Sequence, residues 1–141
     1  MGRRCVRHSP LIALHDLGKF SRPFQAKAEE HWPSTVLGAF QGALPDPGHD
    51  SVGYALFAGP LADVLDPILP EWTYAERRAL LRALCGHHGR PPLEDKVHHL
   101  DEIACSACVA MARTFTEEVV ATLAPPALPV PDDEGRAQAR R

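Results

Sequence analysis

Apolar residues recur at helical spacing along most of this chain, and few segments alternate as a half-buried strand does. The clearest helix start is Thr73, with Glu76 three residues later completing a capping box. Leu80, Leu81 and Leu84 then give that helix an apolar face, and it should end near Gly86 or Gly89. Upstream, Leu11 to His15 reads as the end of a helix, with Gly18 just past it. Ser21 can cap a short second helix with Pro23 in its first turn. Residues 32–48 are rich in Gly and Pro and read as irregular. A helix from His49 or Asp50 to about Leu65 carries Val52/Leu56 and Gly53/Phe57 at i, i+4, with a kink expected at Pro60. Asp66 to Trp72 is a connector, and a last long helix is expected over about His98 to Leu123. Beyond it, Ala124 to Asp133 has a proline-rich linker composition, and Gly135 to Arg141 is a polar, basic tail. The expectation is an all-α bundle over residues 1–123 with a linker and tail over 124–141.

Length and charge narrow the class further. A chain of 141 residues, 45% hydrophobic, suits one domain with a real core. The apolar runs Pro10 to Leu14 and Val109 to Ala112 are far shorter than the roughly 20 residues of a membrane span. No secretory signal follows the basic first residues, so a cytoplasmic location is expected. A net charge of -3 argues against nucleic-acid binding by bulk charge. The four cysteines do not suggest a disulfide framework.

The eight histidines carry the chemistry. His15-Asp16 lies at a helix end, where an imidazole and a carboxylate can converge on one cation. That donor pair suits Zn, Fe, Mn, Co or Ni better than Ca or Mg. Standing alone, the pair reads better as a dipole-facing histidine beside a turn aspartate, since His-Asp pairs are common by chance. His87-His88 sits between Gly86 and Gly89 where the capped helix ends, and His88 extends that helix's inward stripe. Two histidines flanked by glycines make poor core material and good ligands. His49, at the start of the next helix upstream, is the third member of a series at helix ends. The expectation is that His15, Asp16, His49, His87 and His88 meet in one cleft. Lys19 is placed to contact a phosphate, with a solvated cation at a helix end as the alternative. Cys105-Ser106-Ala107-Cys108 has no second pair at zinc-ribbon spacing and no βαβ context, and reads as core. His98-His99 reads as a solvated helix start, and His8 and His31 as surface.

The segment His15-Asp16-Leu17-Gly18-Lys19-Phe20-Ser21-Arg22-Pro23-Phe24-Gln25 resembles the "HDxGK…FQ" stretch of CRISPR-associated HD nucleases. Gly86-His87-His88-Gly89-Arg90-Pro91-Pro92 is similar to their "HHG.P" stretch, in the same order. The resemblance spans about residues 10–130 and implies an HD-domain bundle. It implies a metal-dependent nuclease acting on single-stranded DNA, working with a superfamily 2 helicase and the CRISPR effector complex in type I interference. It places His15 and Asp16 on a first metal, and Asp16, His49, His87 and His88 on a second, with Asp16 bridging. The ions implied are Fe, Mn, Co or Ni, one or two per chain, with Asp16 and Lys19 serving the reaction.

The family's first metal also draws on a histidine from an earlier helix and an aspartate from a later one. His8 lies too near His15, and Asp132 and Asp133 lie in the linker-like tail, so neither position has a counterpart. The expectation is therefore a bundle incomplete at both ends, as in a truncated or split form. Two other readings carry over: an HD-type nucleotide phosphohydrolase, and a non-catalytic remnant or docking module.

Overall fold

The computed structural model describes residues 10–93, 97, 99–123 and 126–132. Among these residues seven α-helices and three 3-10 turns occur, and no strand. The all-α expectation holds.

The helix α4, His49–Ala58, runs through the centre. Ser51, Val52, Gly53, Tyr54, Leu56 and Phe57 are all buried on it, so it has almost no solvent face. Around it pack α5 (Tyr74–Cys85) and the 3-10 turn Leu17–Phe20 that follows α1 (Pro10–Leu14). The shared core joins Leu14 and Leu17 to Val52, Leu56 and Phe57, to Leu61, Leu65, Ile68 and Leu69, and to Leu81, Cys85, Cys108 and Ala112.

α5 begins as its sequence demands. Thr73 Oγ1 accepts from the Glu76 N–H, and the Glu76 carboxylate accepts from the Thr73 N–H at 2.8 Å. α2 (Arg22–Gln25) does start after Ser21 with Pro23 in its first turn, but the Ser21 hydroxyl makes no cap bond. α3 (Ser34–Leu37) is a single turn inside the otherwise irregular 32–48 stretch.

Three expectations are corrected. α4 does not run to Leu65 with a kink at Pro60; it stops at Ala58. Pro60 has no N–H to continue the ladder, and the Leu56 carbonyl accepts instead from Leu61 N–H at 2.9 Å. The chain resumes as a 3-10 turn, Ala62–Leu65, held by Arg113 through both Asp63 carboxylate oxygens at 2.9 Å and the Pro60 carbonyl at 2.6 Å. The expected helix over His98 to Leu123 is two helices, α6 (Leu100–Ile103) and α7 (Ser106–Leu123). Ala104, buried and non-helical at φ −116° and ψ 83°, separates them. Finally, α5 ends at Cys85, so His87 and His88 lie in the turn beyond it and do not continue its inward stripe.

Within the proline-rich stretch read as a linker, Leu128 is tied back to the domain. Its N–H donates to the Ile68 carbonyl at 2.8 Å, and its carbonyl accepts from Trp72 Nε1 at 3.1 Å. His8, His98 and Asp133 lie outside the described residues. His31 and His99 are exposed, as expected of surface residues.

Candidate metal centre

The site depends on how closely two backbones approach. Gly18, in the turn after His15-Asp16, packs on the first turn of α4. A β-carbon there would stand 1.7 Å from the His49 carbonyl oxygen, so no larger residue fits. Gly53 faces Gly18 from α4, its own Cβ position 3.2 Å from the Gly18 nitrogen. Two glycines thus let the His15-Asp16 turn lie against the start of α4, which carries His49. α5 also packs on α4, its last residue Cys85 near Gly53, and delivers His87 and His88 through the turn beyond Cys85.

The five residues expected to meet do so. Asp16 Oδ1 lies 3.2 Å from His49 Nε2 and 3.7 Å from His87 Nε2. Its other oxygen, Oδ2, lies 3.5 Å from His15 Nε2 and accepts from Lys19 Nζ at 2.5 Å. His49 Nε2 and His88 Nε2 are 3.2 Å apart. His87 is a hub, its ring 4.3 Å from that of His15 and 3.9 Å from that of His88.

This donor set fits a divalent metal. Two donors each at about 2.0–2.1 Å from one ion stand roughly 3 Å apart, close to the spacings already present. Two triads of ligand atoms each lie within 4.8 Å: His49, His87 and His88, and His15, Asp16 and His87. The resemblance assigned His87 to one group alone; the distances bring it equally into the other. The hydrogen bonding also suits ligation. His15 Nδ1 donates to the Ile12 carbonyl, which can only accept, so Nε2 is the nitrogen left facing Asp16. Burial, opposed by the charge of Asp16 and helped by His88 and Lys19, holds His49 below the ordinary histidine value. Burial works against the Asp16 carboxylate, but the Lys19 hydrogen bond and the charges of His15, Lys19 and His49 outweigh it. Its pKa lies below the usual value.

Two residues that are not ligands, Gln25 and Phe24, support the site. Gln25 Nε2 donates to the Lys19 carbonyl at 2.7 Å, pinning the turn that aims Lys19. The Phe24 ring meets His49 edge-on at 5.6 Å. The only sequence signal for either is their place in the Phe-Gln pair that ends the first motif.

The site is open. The side chains of His15, Asp16, His49 and His87 keep 17–32% of their surface exposed. A cavity of about 510 Å³, between the 44–47 loop and α6, is lined by Pro23, Leu44, Asp46, His99 and Glu102 among others and by none of the five.

The family described as "Cas3, HD domain" matches residues 6–140. The chain belongs to the Cas3 HD-domain family. No curated protein and no solved structure gives a significant match. Membership makes this a CRISPR-associated HD nuclease domain, of a family of metal-dependent hydrolases that act on nucleic acid within a CRISPR complex. No described helix is long and apolar enough to cross a membrane.

Proposed function

We propose that this Cas3 HD-domain chain is a metal-dependent nuclease that cuts single-stranded DNA in type I CRISPR interference. Its partners in this reading are a superfamily 2 helicase and the effector complex. The observation that carries it is the convergence of Asp16, His49, His87 and His88 at ligand-to-ligand spacing, with His15 beside them, in a cleft open to solvent. An open cleft suits a polymer strand lying across it, whereas a nucleotide phosphohydrolase needs an enclosing pocket for base and sugar.

His49, His87, His88 and Asp16 would hold one divalent ion, and His15, Asp16 and His87 a second. The imidazole-rich set favours Fe, Mn, Co or Ni over Mg. Such ions, when bound, supply Lewis acidity toward a phosphodiester oxygen and a water-derived nucleophile at neutral pH. The chain's own residues do the rest. Asp16 divides its two oxygens between the histidine sides, so one carboxylate fixes the distance between the halves of the site. Lys19 balances the Asp16 charge in the free protein. Released from Oδ2, its ammonium reaches a substrate phosphate that takes the place of the carboxylate. The Gln25 bond keeps the Lys19 backbone fixed while its side chain changes partner.

The test combines metal analysis with cleavage of single-stranded DNA, duplex DNA and free deoxynucleotides, with Mn, Co or Ni added. The expected result is bound transition metal and single-strand cleavage, both lost in Asp16→Ala. Unchanged metal content in the His87→Ala, His88→Ala double variant would overturn the ligand assignment. Turnover of free nucleotides without strand cleavage would overturn the substrate class.

A further inference from the structure

The Cys105-Ser106-Ala107-Cys108 segment reads in the sequence as core, yet its two cysteines stand in unlike settings. Cys105 is the residue before α7, an 18-residue helix, and Cys108 lies in that helix's first turn. Their sulfurs are 3.0 Å apart. A disulfide bond is about 2.05 Å long, so roughly 1 Å of movement separates the two states. Cys108 is buried at 1% exposure, while Cys105 is only half-buried and open to a reagent.

On these grounds we propose that Cys105 and Cys108 form a redox-active dithiol, which low-molecular-weight disulfides convert to an intrachain disulfide. The electrostatics give the pair a direction. Burial opposes a thiolate at Cys105, but the Cys108 thiol, the backbone N–H groups of Cys108 and Ala107, and Arg22 outweigh it. The Cys105 thiol therefore lies below the ordinary cysteine value. Burial, reinforced by Cys105, pushes Cys108 the other way.

The exchange balances in two steps. The Cys105 thiolate attacks one sulfur of the small disulfide, forming a mixed disulfide and expelling a thiolate that takes up a proton. The Cys108 thiol then gives up its proton and attacks the Cys105 sulfur, expelling the second small thiolate. Two protein thiols are oxidised, and one external disulfide is reduced to two thiols.

The experiment treats the reduced full chain with oxidised glutathione in the presence of a chelator, then alkylates it and maps peptides by mass spectrometry. The expected result is loss of two of the four thiols per chain, as one intrachain link between Cys105 and Cys108. Cys108→Ser, or Cys108→Ala if the serine disturbs the core, should accumulate one glutathionyl group on Cys105. Cys105→Ser should leave Cys108 unmodified over the same time. Free thiols at both positions in the treated wild type would overturn the proposal. So would links between chains, or equal modification of Cys108 in Cys105→Ser. None of these outcomes depends on nuclease activity, so the proposal and the nuclease reading stand or fall separately.

Discussion

A β-carbon on Gly18 would stand 1.7 Å from the His49 carbonyl oxygen and 2.7 Å from the Gly53 nitrogen, both backbone atoms that cannot swing aside. Gly18→Ala must therefore push the His15-Asp16 turn off α4. Overpacking costs typically about 1–3 kcal/mol, and a backbone clash of this depth belongs at or beyond the upper end. Thermal melts should show that loss, and metal titration should show weakened binding even where the protein still folds, because Asp16 moves away from His49. Gly59→Ala, whose nearest contact is 3.2 Å, is the matched comparison and should cost less. At this scale the sequence was readable where residue chemistry is distinctive. His15-Asp16, His49 and His87-His88 announce themselves as donors at helix ends. Gly18 reads only as a helix stop, because its real role is contact with a helix some thirty residues away.

Elements were legible where their cause is local. Thr73 and Glu76 lie three residues apart and close a capping box as written, so α5 begins where expected. Thr73→Ala removes the Glu76 N–H acceptor and should cost about 1 kcal/mol in denaturant melts. The same rule fails for the last helix. No glycine or proline marks Ala104, and the break there comes from packing, with Ala104 and Cys108 both buried in the core. Periodicity cannot see a break of that kind. The loop entering α4 depends on another local pair: Lys27 Nζ meets Asp46 Oδ2 at 2.5 Å, and Asp46 Oδ1 accepts from the Gly48 N–H. Burial opposes the Asp46 carboxylate, but the Lys27 bond and the Gly48 N–H outweigh it, so its pKa falls below 3.8. A depressed folded-state pKa adds stability above the unfolded value, and that stability is lost as pH falls through the folded value. Acid unfolding should therefore begin at higher pH in Lys27→Ala than in wild type. Coincident acid transitions for the two proteins would show that the pair contributes nothing.

For the whole molecule, the candidate site is assembled from three separate stretches, so binding a metal there is binding to the fold. An ion that binds the folded chain and not the unfolded one stabilises it by about 2.7 kcal/mol at a hundredfold excess over Kd. For a domain of this size that corresponds to a Tm rise on the order of 10 °C. Mn, Co or Ni should raise Tm in wild type, and a chelator should reverse the rise. The variants separate the two halves of the site. His88→Ala removes a donor from one triad only, and His15→Ala from the other only. His87 belongs to both triads, and its ring touches those of His15 and His88. His87→Ala should therefore abolish most of the metal-induced rise, while each of the other two leaves part of it. Its own metal-free Tm should stay near that of wild type, because His87 lies in an exposed turn outside the core. A larger loss of metal response in His88→Ala than in His87→Ala would mean that His87 serves one ion alone, as the sequence resemblance first divided the ligands.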